Sequence, residues 1–185
     1  MSNIDSLLPR NAAFAASDAR QHRPRLPFLP HKGLYVITCM DPRTDPADFL
    51  GLEFGEAIVA RTLGGRVTPA VIQAVAFFGY LVVTKAPDGP YFEAAIIHHT
   101  DCGSGLLADE EFRDGFSQRT GYDDPTLADL PVLDPRATVR ADVERLLSDP
   151  RIPPHITVSG HVYDVDTGLV TTVAEPASPT AATAT

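Results

Sequence analysis

The side chains in this sequence with the clearest potential for chemistry are two cysteines and a histidine. Cys39 ends the apolar run LYVITC, and His99 and Cys102 lie in IIHHTDCGSG, where a second apolar run ends. Two thiolates and one imidazole form a soft ligand set that suits tetrahedral Zn²⁺. A lone cysteine in a strand is usually a small buried hydrophobic residue. The combination at the ends of two strands favours a metal site over that simpler interpretation.

The segment CMDPR places a carboxylate and a guanidinium just after Cys39. If the chain stays extended there, Cys39, Asp41 and Arg43 project to the same side, and Pro42 favours that geometry at Asp41. A site with three protein ligands keeps a fourth position for water, substrate or a carboxylate. We therefore predict that Asp41 reaches the metal region as a candidate fourth ligand, and that Arg43 is its bidentate partner.

The neighbouring His98 is predicted to have a different role from His99. Successive strand residues point to opposite faces of a sheet, so if His99 faces the metal, His98 faces helix packing or a hydrogen-bond partner. A proton-shuttle role for His98 is the weaker alternative. Arg66, beside Gly65, adds a charge to a loop near the site, and we expect it to be a solvated surface arginine.

Hydrophobic periodicity and turn residues predict strands and helices that alternate along the chain. Thr68-Pro69 and Asp134-Pro135 are residue pairs typical of helix starts, and Gly121 is typical of a helix end. The predicted strands are 34–39, 56–62 and 91–99, followed by a terminal hairpin in 155–173, and the predicted helices lie at 1–20, from 68, at 109–121 and from 134.

Strands that alternate with helices imply parallel pairing. The sequence therefore predicts a doubly wound α/β fold with a mainly parallel central sheet, flanking helices, an N-terminal helical arm and a C-terminal strand hairpin. In such a sheet, the carboxyl ends of the strands beside the topological switch point form the binding crevice. If the first and third strands are neighbours there, Cys39, His99 and Cys102 converge.

The length and charge of the chain narrow the class of protein. Its 185 residues suit one folded domain, here 34–174, with an N-terminal helix and extended arm at 1–33 and a disordered tail at 175–185. The net charge of −9, with no basic block, argues against nucleic acid and anionic membrane partners. The sequence has no signal-peptide or membrane-spanning pattern, which predicts a soluble cytoplasmic protein whose two cysteines are free thiols or metal ligands.

Taken together, CMDPR and HTDCG resemble the paired motifs of the β-class carbonic anhydrases, Cys-x-Asp-x-Arg followed by His-x-x-Cys. The segment 49–69 and the last hairpin, GHVYDVDTGLV, are also similar to that family. The resemblance covers roughly residues 34–173, and the two motifs occur at the spacing that the family uses.

This resemblance implies that Cys39, His99 and Cys102 bind Zn²⁺ and that Asp41 and Arg43 form a catalytic dyad, with Asp41 on the metal in a closed form. It implies reversible hydration of CO₂ to bicarbonate, with zinc-bound hydroxide as the nucleophile. It also implies a homodimer or a dimer-based oligomer, in which the helix at 1–20 packs on the partner subunit.

Two departures from the family pattern bear on the substrate. Family members usually have Arg-Asn-Ala/Val-Gly where this chain has Arg61-Thr62-Leu63-Gly64, and the segment 84–93 is longer than usual. They keep open an alternative function, hydrolysis of carbonyl sulfide or carbon disulfide on the same zinc site. A non-catalytic zinc-binding paralogue is a further alternative, which the Asp41–Arg43 pair disfavours. A thiol redox protein is disfavoured because Cys-x-x-Cys is absent from the sequence.

Overall fold

A five-stranded sheet forms the centre of the protein in a computed structural model, which describes residues 2–18, 25–87, 89 and 92–179. The strands are β1 (Leu34–Cys39), β2 (Ala57–Thr62), β3 (Glu93–His99), β4 (Thr157–Tyr163) and β5 (Val170–Ala177). Their order across the sheet is β2-β1-β3-β4-β5. All neighbouring pairs are parallel except β4 and β5, which form the antiparallel C-terminal hairpin. The predicted fold class is confirmed.

Three helix boundaries lie at the residues whose local chemistry predicts them, whereas the α-helix within the predicted segment 1–20 covers Leu8–Ala16. Thr68 and Asp134 accept hydrogen bonds from backbone N–H groups of the first turn, and Gly121 ends a helix at φ +78°. The α-helices used below are α1 (Leu8–Ala16), α2 (Pro46–Phe49), α3 (Pro69–Lys85), α4 (Glu110–Thr120), α5 (Asp124–Ala128) and α6 (Pro135–Ser148), and short 3₁₀-helices lie at Asn3–Ser6, Leu63–Gly65 and Gly103–Ala108. No helix among the described residues is long and apolar enough to cross a membrane.

The topological switch point lies between β1 and β3. The chain leaves β1 towards β2 on one side, and after α3 it returns to add β3 on the other side of β1. The register pairs Thr38 with Ile97, so the two strands end at the same edge of the sheet. This arrangement is the one expected to bring the two sequence motifs together.

The core lies where the sheet packs against α3 and α6. Val71 and Val75 of α3 and Val139 and Leu146 of α6 are buried in one cluster with Ile96 of β3. The other cluster members from the strands and loops include Tyr35, Ile37, Phe92, Ala94, Ile156, Val158 and Val162. Buried branched side chains on parallel strands, covered by helices, are typical of this fold class.

The two ends of the chain differ from the core. No residue of α1 is buried, and Ile4, Leu7, Leu8 and Phe14 are all exposed apolar side chains of this N-terminal segment. The predicted boundary of the C-terminal tail at 175 is wrong, because β5 keeps pairing with β4 as far as Ala177. Residues 19–24 of the predicted arm and 180–185 of the predicted tail lie outside the described residues, as do 88, 90 and 91 of the segment 84–93.

The loop between β2 and α3 passes directly beneath the end of β1. Gly65 has φ +70°, and a Cβ added there would meet the backbone N of Cys39 at 3.0 Å and the backbone C of Thr38 at 3.1 Å. Both the backbone conformation and the close approach therefore require glycine.

We expect Gly65→Ala to lower the free energy of unfolding by about 2–4 kcal/mol, because it combines left-handed strain with a backbone clash. Gly115→Ala is the matched control. Gly115 lies inside α4 with open space around its Cα, so alanine there should stabilise the protein by about 0.5–1 kcal/mol. Urea unfolding of both variants measures the difference, and equal stabilities would contradict the proposed constraint.

Candidate metal centre

Three side chains from two strand ends converge at the switch point. The ligand atoms of Cys39, His99 and Cys102 all lie within 4.8 Å of one another, and the two Sγ atoms are 3.8 Å apart. Cys39 and His99 are buried, and Cys102 is half-buried. A group of this size and composition has the donor atoms and spacing that a tetrahedral metal ion requires.

His99 is oriented with one ring nitrogen available to a metal. Its Nδ1 lies 2.8 Å from the carbonyl oxygen of Thr100, which can only accept, so Nδ1 carries the proton. Its Nε2 is buried and has no hydrogen-bond partner in the structure. A buried nitrogen lone pair without a partner is costly, and metal coordination would satisfy it while the Nδ1 hydrogen bond holds the ring in place.

The two thiols are held in surroundings that stabilise negative charge. The backbone N–H of Asp41 lies 3.4 Å from Cys39 Sγ, and the Ser104 hydroxyl lies 3.2 Å from Cys102 Sγ. Ser104 Oγ accepts a hydrogen bond from Val132 N–H at 3.1 Å, which leaves its own proton for Cys102. The hydrogen bond from the Cys39 thiol, with help from His99 and Ser104, lowers the pKa of Cys102 well below that of an ordinary thiol.

The charges of the cluster fit a divalent cation. The pKa of Cys39 is raised, first by its hydrogen bond to Cys102 and then by burial, so without a cation the pair keeps one proton. Burial lowers the pKa of His99, but Cys102, the Thr100 carbonyl group and Asp41 together outweigh burial and the net shift is upward. A cation between these groups would stabilise the thiolate forms of both cysteines, and the sulfur and nitrogen donors suit zinc.

Asp41 is held beside this cluster by Arg43. Arg43 Nε donates to Asp41 Oδ1 at 3.0 Å, Nη2 donates to Oδ2 at 2.8 Å, and the backbone N–H of Arg43 donates to Oδ1 at 2.9 Å. These hydrogen bonds outweigh the effect of burial and lower the pKa of Asp41 to about 2. The predicted bidentate pairing is therefore present. A closed form with Asp41 on the metal stays a prediction.

The turn after β1 is held by Arg61 from β2 and by Thr44 within the turn itself. Arg61 at the end of β2 donates to the carbonyl oxygens of Cys39, at 3.0 Å, and Asp41, at 2.5 Å. The buried hydroxyl of Thr44 lies within hydrogen-bond distance of the same two carbonyl oxygens. The sequence pattern marks Arg61 as a family position, but it gives no sign that Arg61 binds the backbone of the metal-ligand turn.

His98 faces away from the cluster, as strand alternation predicts. It is fully buried, and its Nδ1 lies 2.8 Å from Thr138 Oγ1 on α6. Its Nε2 lies 3.3 Å from a carboxylate oxygen of Asp142, also on α6. His98 therefore links the strand that bears His99 to a buried carboxylate.

Arg66 corrects one sequence-based expectation, because it is buried rather than solvated, with 4% of its surface exposed. Its Nε donates to Asp142 Oδ2 at 2.7 Å, and the backbone N–H of Val67 donates to the same oxygen at 3.0 Å. Asp142, which is fully buried, neutralises the arginine. Sequence reasoning missed this pair because the partners are 76 positions apart and neither belongs to a recognisable motif.

The chain is similar to known proteins in both sequence and structure. No protein-family model matches the chain. It is 32% identical to beta-carbonic anhydrase 1 of Mycobacterium tuberculosis over 173 residues, which covers 94% of this chain and 99% of that protein. It is 28% identical to a carbon disulfide hydrolase of Acidianus sp. over 188 residues, covering 89% of this chain and 85% of that protein. The crystal structure of a carbonic anhydrase from Streptococcus mutans matches with a TM-score of 0.75 and 35% identity, over 94% of this chain and 98% of that one.

We expect Asp142→Asn to lower the free energy of unfolding at pH 7 by about 3 kcal/mol, because it removes the buried counter-ion of Arg66 and leaves that charge only the half-exposed Asp129 at 3.6 Å. Asp129→Asn is the comparison, since Asp129 is a half-exposed counter-ion that pairs with Arg145 at 2.8 Å and with Arg66 at 3.6 Å, and its loss should cost under about 1 kcal/mol. Urea unfolding of both variants measures the costs, and equal costs would contradict the role given to Asp142.

The same ion pair predicts a pH dependence of stability. Burial raises the pKa of Asp142, but His98, Arg66 and the Val67 N–H outweigh it and lower that pKa to about 2. Because the pKa of Asp142 is lower in the folded protein, the unfolded chain binds a proton at this carboxylate more readily than the folded protein does. The stabilisation is therefore present above about pH 4 and is lost as the pH falls towards about 2. The stability gap between wild type and Asp142→Asn should narrow over that interval, and a constant gap would contradict the assignment.

Proposed function

Because the chain belongs to the β-carbonic anhydrase family, we propose that it catalyses the reversible hydration of CO₂ to bicarbonate, with zinc held by Cys39, His99 and Cys102. The observation that carries this proposal is the convergence of two thiols and an unpartnered imidazole nitrogen beside a carboxylate bound to arginine. A purely structural zinc site has no need of such a pair.

Zinc, when bound, supplies the activation of a water molecule for attack on carbon near neutral pH. Asp41 stays anionic because Arg43 donates to both of its oxygens. As an anion it accepts a hydrogen bond from the attacking water and turns that oxygen towards the carbon of CO₂. Arg43 keeps the carboxylate on its own side of the site and so leaves room for substrate.

CO₂ carries no net charge, so the site needs apolar walls rather than an ionic partner for it. Met40 and Leu63 are exposed apolar residues that directly follow β1 and β2 at the edge where the metal ligands converge. Their position is consistent with a narrow apolar approach to the metal.

The second candidate function is hydrolysis of carbon disulfide or carbonyl sulfide at the same site. These molecules are linear and apolar like CO₂, and Leu63 stands where the family usually has alanine or valine. The similarity to a carbon disulfide hydrolase also supports this candidate. Rates of the purified protein on all three substrates decide between the two functions. A kcat/KM for carbon disulfide above that for CO₂ would favour hydrolysis of carbon disulfide over CO₂ hydration.

We expect Asp41→Asn to retain about one zinc per chain and to lower kcat for CO₂ hydration about 100-fold, because the amide cannot orient the attacking water as the carboxylate does. Asp48→Asn, on the exposed surface of α2, is the control and should leave kcat unchanged. Stopped-flow hydration with a pH indicator measures kcat, and mass spectrometry of the metal measures zinc. Wild-type turnover in Asp41→Asn would refute the role of Asp41. Zinc-loaded wild-type protein that is inactive on all three substrates would refute the proposed enzymatic activity.

We further propose that the protein is a homodimer or is built from dimers, with the N-terminal segment packed on the partner. Exposed apolar side chains on a segment that buries none of its residues support this arrangement. Sedimentation equilibrium should give at least twice the chain mass of 19.9 kDa. Leu8→Asp should weaken the association, whereas Leu169→Asp, at an exposed residue next to β5, should not. A wild-type protein that stays monomeric at micromolar concentration would contradict the proposal.

A further inference from the structure

Arg43 joins the two loops that follow the strand ends bearing Cys39 and His99. From the loop after β1 it holds Asp41, and from the same guanidinium it reaches the loop after β3. There, Nη1 donates to Asp101 Oδ2 at 2.7 Å, and Nη2 donates to the carbonyl oxygen of Asp101 at 2.8 Å. Asp101 lies between His99 and Cys102 in the sequence. One guanidinium is thus shared by a carboxylate from each loop.

The donors of Arg43 are divided between its two partners. Nε and one proton of Nη2 face Asp41, while Nη1 and the other proton of Nη2 face Asp101. A planar guanidinium with hydrogen bonds along two of its edges cannot rotate without breaking bonds to both partners. The contact with Asp101 therefore sets the plane in which Arg43 meets Asp41.

The backbone of Asp101 is held in an unusual conformation for a residue with a side chain. Its φ is +53°, the one positive φ outside glycine among the described residues. Aspartate tolerates this region better than most residues, but glycine would adopt it with less strain. The side chain is also mostly exposed, at 78%, so burial does not explain why a strained position carries a carboxylate.

We propose that Asp101 is a positioning residue, which orients Arg43 so that both oxygens of Asp41 stay bound to the guanidinium and away from the metal. This inference rests on the proposed function for its effect on turnover. Exposed ion pairs add little to stability, so the contribution of Asp101 lies in orientation. Since Asp101 lies between His99 at the end of β3 and Cys102, it ties the position of Asp41 to the position of these two ligands.

Three variants at position 101 separate the side chain from the backbone. Asp101→Ala and Asp101→Gly both remove the hydrogen bond to Nη1, and we expect each to lower kcat about 10-fold with KM and zinc content unchanged. Asp101→Gly relieves the backbone strain, so it should unfold at a higher temperature than Asp101→Ala in spite of the equal loss of turnover. Asp101→Asn keeps an acceptor oxygen and should retain most of the turnover.

A second readout does not depend on turnover. In the cobalt-substituted protein, azide binding to the open metal position is followed by the visible absorption of Co²⁺. When Asp101→Ala loosens Arg43, the Asp41 carboxylate competes for that position, so half-saturation should require about 10-fold more azide. In the double variant with Asp41→Asn, the azide affinity should return to that of Asp41→Asn alone.

The outcomes distinguish this inference from the proposed function. A wild-type protein without CO₂ hydration would overturn the function, while the azide titration would still test Asp101. Wild-type kcat in Asp101→Ala or Asp101→Gly, turnover in Asp101→Asn as low as in Asp101→Ala, or unchanged azide affinity in Asp101→Ala would each overturn the positioning role.

Discussion

The parallel pairing of β1 with β3 is the constraint on which the site depends. Cys39 and Cys102 are 63 positions apart, and no local turn brings them together. The crossover through β2 and α3 places β3 beside β1, with the carboxyl ends of the strands at one edge of the sheet. Each strand end then delivers its ligands to one point, and the sheet positions them more rigidly than loops alone would.

Side-chain alternation then divides two adjacent histidines between two tasks. His99 presents an unpartnered nitrogen to the metal position, and His98 faces the opposite way into the contact with α6. Next to His98, the buried side chains of Arg66 and Asp142 neutralise each other's charge. A Cβ on Gly65 would meet the backbone of Cys39 and, at 3.3 Å, the ring of His98. One glycine therefore lies between the end of β1, which carries Cys39, and the ring of His98, which contacts Asp142.

Features with a local chemical cause could be predicted from the sequence. Helix starts at Thr68 and Asp134, the strand ending at Cys39 and the opposite orientations of His98 and His99 follow from capping and alternation. The pairing of Asp41 with Arg43 was also predictable, because only one residue separates them and Pro42 favours an extended chain. The convergence of the three ligand residues required one further assumption, that β1 and β3 are neighbours.

Features that depend on distant contacts could not be predicted in the same way. Arg66 was expected in solvent because its counter-ion lies 76 positions away on α6 and only the folded chain brings the two together. Asp101 occupies one of the two unspecified positions of the motif His-x-x-Cys, so the motif assigns it no role. Its hydrogen bonds to Arg43 require the two loops to be side by side. The extent of β5 depends on pairing with β4, which the alanine- and proline-rich sequence after 173 does not indicate.

The most direct test of the central claim is X-ray absorption at the zinc edge of the zinc-loaded protein. If β1 and β3 deliver Cys39, His99 and Cys102 to one ion, the first shell contains two sulfur atoms at about 2.3 Å and an imidazole nitrogen at about 2.0 Å. A first shell with fewer than two sulfur atoms would contradict the account, because zinc would then lie away from the strand ends that define the site.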